Sequence, residues 1–335
     1  MGLSLGLLLI ALNGPLAWRI LHLPKPSPPP LWYERYVMTA YFAYLSAALY
    51  FAAGLLIGTM LGIWQTFGAI WLVASVGLGL VAVGIPSRRF VVRHIDIPIP
   101  RLHGSLQGLR IAQLTDLHVG PFTREKRLSK WVHACNREQP DLVVLTGDFV
   151  SHAAQGTEVL RKGLSALRAQ RGIYAVLGNH DHFGESGDEV AQVLDSIQCR
   201  VLRNEHVLLT EHLAIAGVDD TWRELADVGA ALETIPTRVT TVLLAHDPEV
   251  FVSVVKDDHD VQLQISGHLH GGQLAIPFLG RRGSILQAFR ARYIQGLYRE
   301  GAKHLYLSAG LGTTGIPMRI GMPSELPIIR LIAAQ

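Results

Sequence analysis

Five short apolar runs, each ending in residues able to bind a metal ion, constrain this 335-residue chain more than any other feature. They are LRIAQLTD (109–116), DLVVLTGD (141–148), GIYAVLGNHD (172–181), TTVLLAHD (240–247) and VQLQISGHLH (261–270). Aliphatic and β-branched runs of this length, closed by Gly, Asp or Asn, read as strands buried on both faces. Helical patterns fall between several of them, at 123–137 and 186–198, so the alternation predicts an α/β domain whose sheets are covered by helices. In such folds ligands gather at the carboxyl ends of the strands. Asp116, His118, Asp148, Asn179, His180, His246, His268 and His270 all stand there, so the fold itself can collect them.

Each piece alone is ordinary turn or capping chemistry. Their recurrence at five strand ends is not. His268 and His270 stand two apart, so on a strand they would point to the same face. Leaving His180 aside, the set holds two aspartates, four histidines and one asparagine, with no thiolate. Such donors suit Mn, Fe, Zn or Mg and do not select Cu(I). Seven residues exceed the four ligands of a structural zinc, and an aspartate can bridge two ions through its two oxygens. A pair of divalent ions ~3.5–4 Å apart is a recurring device for in-line displacement at phosphorus. The pattern therefore suits hydrolysis of a phosphate ester or anhydride, although spacing by itself leaves a metallopeptidase or an oxygenase open. The two cysteines, Cys135 and Cys199, give neither a disulfide framework nor a paired metal-ligand spacing.

The first 85 residues have a different texture. Only Arg19, Lys25, Glu34 and Arg35 are charged there, and this stretch raises the mean hydropathy of the chain to +0.27. Residues 37–63 and 67–85 are uncharged, the first longer than and the second close to the ~20 residues needed to cross a hydrocarbon core, so they are expected to form a hairpin of spans. Residues 2–20 are apolar but interrupted by Asn13, Gly14 and Pro15, which suits either a kinked span or an interfacial helix. PKPSPPP (24–30) reads as a stiff connector. Basic residues flank the hairpin on both sides, Arg19, Lys25 and Arg35 before it and Arg88, Arg89 and Arg93 after it, while its tip is uncharged. By the positive-inside rule the domain that follows is expected on the cytoplasmic side of a bacterial inner membrane. The expected organisation is a membrane anchor over 1–86 and a catalytic domain over 87–335. With a net charge of only +3, the chain lacks the basic excess of a nucleic-acid binder, and no nucleic-acid partner is expected.

The blocks DLH (116–118), GD (147–148), GNHD (178–181), the histidine of LLAHDP (243–248) and GHLH (267–270) resemble, in order, the five blocks of the calcineurin-like metallophosphoesterase superfamily. Further stretches, GHLHGGQLAIPFLG, YIQGLYREG and LSAGLGTTGIPMRIGMPSELPIIRL, are similar to the membrane-associated bacterial subgroup typified by the YkuE and YaeI phosphodiesterases. The resemblance implies a four-layer α/β/β/α sandwich, preceded here by the transmembrane helical segment, with two divalent metal ions at the strand ends. It implies that Asp116, His118 and His270 hold one metal, that Asp148 bridges, and that Asn179, His246 and His268 complete the second. It assigns Asn179 and His180 to the substrate phosphate, His180 to protonation of the leaving oxygen, Asp181 to orienting His180, and a hydroxide between the ions to attack on phosphorus.

The substrate is less constrained. Arg281, Arg282, Arg290, Arg292 and Arg299 are interleaved with apolar residues, which suits either a solvated helix face or a basic, apolar lip that meets anionic head groups. A lipid-linked phosphodiester or pyrophosphate, such as a UDP-diacylglucosamine-type substrate, is the leading expectation. The alternatives are a soluble nucleotide-type phosphodiester and a membrane-bound regulator that binds metal without turnover.

Overall fold

The computed structural model describes residues 14–18, 30–84, 89–183, 185–276 and 279–334. By its contacts the chain divides into two compact units, Met1–Arg88 with Gly315–Arg319, and Arg89–Thr314 with Ile320–Gln335.

In the first unit a π-helical turn, Tyr33–Met38, leads into helix α1 (Thr39–Met60), followed by α2 (Trp64–Gly84). Tyr33–Met60 is, among the described residues, the one helix long and apolar enough to cross a membrane, and α2 contributes a shorter apolar stretch, Phe67–Leu80. Small residues let the two helices approach closely, as in membrane bundles. A Cβ on Gly79 would lie 2.4 Å from the Ala43 carbonyl oxygen, and one on Gly54 would run into the Trp71 indole, whose Nε1 donates to the Tyr50 carbonyl at 3.0 Å. The expected span or interfacial helix over 2–20 and the proline-rich connector over 24–30 fall almost wholly outside the described residues; only 14–18, in a helical turn, and Pro30 are described.

In the second unit the apolar runs become strands. Side chains of β2 (Arg110–Leu114) and β3 (Leu142–Thr146) alternate between two cores, with Ile111, Leu142 and Val144 on one side and Ala112, Leu114, Val143 and Leu145 on the other. A strand apolar on both faces needs cover on both. Helices α3 (Glu125–Arg137), α4 (Ala153–Leu164) and α5 (Gly187–Asp195) supply it on one side through Leu128, Trp131, Leu160, Leu164, Val190 and Leu194. A second sheet supplies it on the other. The first sheet has the order β1 (Phe90–Ile99), β12 (Ser324–Ala333), β2, β3, β4 (Ile173–Val176), β5 (Cys199–Val201). The second runs β10 (Gly296–Glu300), β11 (Lys303–Leu307), β9 (Leu263–Ser266), β8 (Thr240–Leu244), β7 (Leu213–Gly217), β6 (Glu205–Thr210). Ile111, Val144 and Val176 meet Ile215, Val242, Leu244 and Ile265 between the sheets. The outer face of the second sheet packs on α6 (Val228–Leu232) and α7 (Val250–Lys256) through Ala231, Phe251 and Val254. This is the α/β/β/α arrangement expected.

Within the central strands the pairing is parallel, β2 with β3 and β3 with β4 in one sheet, β7 with β8 and β8 with β9 in the other. Parallel strands deliver their carboxyl ends to one edge. The fully buried Gln113 ties the two sheets together near that edge, its Nε2 donating to Thr146 Oγ1 at 2.8 Å and to the Ser266 carbonyl at 2.9 Å.

Candidate metal centre

Every ligand-type residue singled out in the sequence lies just past a carboxyl strand end: Asp116 and His118 after β2, Asp148 after β3, Asn179 and His180 after β4, His246 after β8, His268 and His270 after β9. Apart from the partly exposed His180 and His268 they are buried. Two groups form. The candidate ligand atoms of Asp116, His118, Asp148 and His270 lie within 4.8 Å of one another, as do those of Asp148, His246 and His268. Asp148 belongs to both, with Oδ2 3.4 Å from His118 Nε2 and Oδ1 3.3 Å from His246 Nε2.

The spacings are those of coordination spheres. His118 Nε2 lies 3.0 Å from His270 Nε2, His270 Nε2 lies 3.3 Å from Asp116 Oδ1, and His268 Nδ1 lies 3.1 Å from His246 Nε2. Donors held ~2.1 Å from a common ion are separated from each other by about 3.0–3.4 Å, the range seen here. His246 Nδ1 contacts the Thr146 carbonyl at 2.8 Å, which fixes the tautomer and turns Nε2 toward Asp148, the usual support of a metal-binding imidazole. The buried Oδ1 of Asn179 has no hydrogen-bond partner among the described residues, and an amide oxygen of that kind suits a hard divalent ion.

The backbone is bent to present these atoms. Asp116, His118, Asp148, His268 and His270 all have positive φ, between 44° and 78°. Non-glycine residues held there cost about 1–3 kcal/mol each, and such conformations cluster at functional sites. Around them glycine makes room: a Cβ on Gly178 would sit 2.4 Å from Asp148 Oδ1, and Gly147, at φ +85°, would place one 2.7 Å from the His246 ring.

The electrostatics point the same way. Burial pushes Asp116 up to about 7. Burial would raise Asp148 as well, but the charges of His246 and His180 outweigh it and hold this carboxyl well below its usual range. Burial opposes charge on His246, yet Asp148 and Asp116 raise it to about 10, whereas burial and the His246 charge lower His268 to about 4. Without cations, protons must compensate the carboxylates and the histidines compete to carry them. Divalent ions resolve that competition, because ligation requires these groups deprotonated.

His180 stands beside both groups without belonging to either. Its ring packs edge-on against His118 with centroids 4.8 Å apart, its backbone N–H donates to Asp148 Oδ1 at 3.0 Å, and its Nε2 is 3.4 Å from Thr314 Oγ1. Asp181 departs from expectation. Its carboxylate does not orient the His180 ring; it accepts backbone N–H groups from Asp148 (2.8 Å), Phe149 (2.8 Å), Val150 (3.2 Å) and Gly178 (2.9 Å). The loops after β3 and β4 are both short of acceptors, and a buried carboxylate satisfies four donors at once. Asp181 therefore braces the loops that carry Asp148 and Asn179.

Sequence reasoning passed over several neighbours. Thr314 is reached through Gln273, whose Nε2 donates to the Thr314 carbonyl at 2.7 Å. Trp222, 66% exposed, sets its ring edge-on to His268 with centroids 5.5 Å apart, and the partly exposed Phe183 packs on His180. The turn bearing Trp222 is held by a network in which the buried Asp219 contacts the buried His182 Nε2 at 3.0 Å and accepts from Arg203 Nε at 2.6 Å, while Arg223 donates to the His182 carbonyl. VDD (218–220) after β7 was the available signal, a sixth strand end rich in carboxylates.

The sequence profile of the calcineurin-like phosphoesterases matches residues 109–272, the segment that carries all five strand ends. The metallophosphoesterase YkuE of Bacillus subtilis is 30% identical over 235 residues, 68% of this chain and 80% of that protein. The chain belongs to the calcineurin-like phosphoesterase family. A metallophosphoesterase of Aquifex aeolicus is 33% identical over 229 residues, 67% of this chain and 85% of its own. The "transmembrane protein with metallophosphoesterase domain" of Danio rerio is 30% identical over 282 residues, 80% of this chain. The chain spans 62% of that relative's length. As a family member with this donor cluster, the chain carries a metal-dependent phosphoesterase domain whose His and Asp residues suit a dinuclear divalent site. An apolar helix of spanning length, together with relatives named as transmembrane proteins, points to membrane association.

Proposed function

We propose that the protein is a membrane-anchored dinuclear phosphoesterase that hydrolyses a phosphodiester or pyrophosphate, with a lipid-linked substrate, such as a UDP-diacylglucosamine-type pyrophosphate, as its leading candidate. The observation that carries the dinuclear reading is Asp148, whose two oxygens face two separate ligand groups. In this reading Asp116, His118 and His270 hold one ion, Asn179, His246 and His268 the other, and Asp148 both. Residues 1–86 are read as the anchor and 87–335 as the catalytic domain, and the basic flanks of the hairpin favour the cytoplasmic face of a bacterial inner membrane for that domain.

Two divalent ions lower the pKa of a bound water, orient phosphoryl oxygens and offset their charge. The chain supplies the remaining functions. Asn179 and His180 stand where a phosphoryl oxygen would be met, and His180, in contact with Thr314, is positioned to hold the proton destined for the leaving oxygen. Asp181 keeps Asp148 and Asn179 in register through the backbone. Phe183, packed on His180, and Trp222, beside His268, offer apolar surface to the groups attached to phosphorus.

The substrate reading is tested with the full chain in mixed micelles, comparing a diacylated sugar-nucleotide pyrophosphate with its deacylated counterpart and with soluble nucleotide diesters, each with Mn. A lipid-linked preference requires kcat/KM for the acylated compound at least tenfold above the others. Equal or faster turnover of soluble diesters would replace it with the nucleotide reading.

A further inference from the structure

Beyond the metal centre, residues 273–299 contain five arginines and no aspartate or glutamate. Arg281, Arg282, Arg290, Arg292 and Arg299 are all exposed. The same segment exposes Ile276 (62%), Leu279 (53%), Ile285 (44%) and Phe289 (76%). From Arg89 onward nine large hydrophobic residues are exposed among those described, and four of them fall between 276 and 289. Elsewhere they are scattered, as is normal on a protein surface; a cluster signals a contact.

The backbone holds this display in place. Ile276 N–H donates to the Gly283 carbonyl at 2.9 Å, a 3-10 turn spans Gly280–Gly283, and helix α8 (Ile285–Ala288) is capped by Ser284 Oγ, which accepts from Leu286 N–H at 3.2 Å. Ser284 Oγ also donates to the carbonyl of Gly271 at 2.7 Å, one residue beyond His270. The exposed face is thus fastened to the loop that carries a candidate ligand.

Hydrocarbon side chains interleaved with arginines and free of carboxylates match one surface, the boundary of a bilayer containing anionic lipid. Nucleic acid would use the arginines but leave Ile276, Leu279, Ile285 and Phe289 in water. We propose that Ile276 and residues 279–292 form a docking lobe for an anionic phospholipid bilayer, with these four side chains entering the headgroup boundary and Arg281, Arg282, Arg290 and Arg292 holding lipid phosphates. The lobe acts on the catalytic unit itself, in addition to any spanning helix, and does not depend on which phosphoester is cleaved.

The test needs no turnover. Cys135 and Cys199 are buried, so Phe289→Cys in the full chain can be labelled selectively with an environment-sensitive fluorophore, and Leu208→Cys on β6, 48% exposed in the parent, serves as the reference position. Each is reconstituted into phosphatidylcholine vesicles with or without about a third phosphatidylglycerol. Docking predicts a blue shift and several-fold stronger quenching by nitroxide lipid at 289 than at 208 in the anionic vesicles. It also predicts that raised salt, or the triple change Arg281→Ala, Arg282→Ala, Arg290→Ala, reduces that quenching. Leu279→Cys repeats the measurement should the Phe289 variant misfold. Equal quenching at 279 or 289 and at 208 overturns the proposal. So does a blue shift without lipid quenching, which means that another copy of the chain covers the lobe, and so does quenching indifferent to phosphatidylglycerol and to the arginines.

Discussion

Four backbone N–H groups, of Asp148, Phe149, Val150 and Gly178, end on one carboxylate, that of Asp181. Removing a buried acceptor leaves its donors without a partner at about 1–3 kcal/mol each, although relaxation and water recover part of this. Asp181→Ala is therefore expected to lower the melting temperature by several degrees and to weaken metal retention, with Asp181→Asn intermediate because its amide keeps one acceptor oxygen. Thermal melts and metal analysis of the purified variants check this; an unchanged melt would mean that the brace is dispensable. Asp219 makes a pH-dependent contribution. Burial would raise its carboxyl, but hydrogen bonds from His182 and Arg203 outweigh burial and lower it to about 2. A depressed folded value stabilises the fold above the unfolded value near 4, and that stabilisation is lost as pH falls from there toward 2. Asp219→Asn should thus melt below the parent at pH 7, and the difference should shrink as pH falls through that window. The ligand types were legible in the sequence because each carries its own chemistry. The role of Asp181 was not, since its partners are backbone N–H groups that any residue could supply.

The carboxyl end of a parallel strand is where the chain leaves its hydrogen-bonded ladder, so a residue there can take a left-handed conformation without breaking the sheet. Five of the ligand-type residues do so. Gly178 shows how little space remains: its missing Cβ would meet Asp148 Oδ1 at 2.4 Å and Asp148 N at 2.6 Å. Gly178→Ala is accordingly expected to displace Asp148, cutting metal content and activity together while the far-UV circular dichroism stays that of the parent. Full metal content and activity in this variant would contradict the packing described. The five ligand-bearing strands could be read from the sequence because each joins an apolar run to a polar end. Trp222 and Thr314 could not: they sit in loops, and Trp222 reaches His268 only once β7 and β9 share a sheet, and Thr314 reaches His180 only once the segment following β11 packs beside the end of β4.

For the molecule as a whole, composition separates a weakly charged N-terminal stretch from a nearly neutral α/β unit, and the division by contacts falls at Arg88 and Arg89, with Gly315–Arg319 joining the first unit. Composition carries no signal for that return, because a segment of five residues has no periodicity to read. What unites the catalytic unit is the collection of strand ends from two sheets around Asp148. That is tested most directly by measuring, on the purified full chain loaded with Mn, the metal bound per chain and the hydrolysis of bis-p-nitrophenyl phosphate, beside Asp148→Asn and His180→Ala. A dinuclear phosphoesterase predicts two ions per chain and turnover in the parent, loss of both in Asp148→Asn, and retained metal with turnover reduced on the order of a hundredfold in His180→Ala. Two ions bound, with parent turnover no greater than that of either variant, would contradict it.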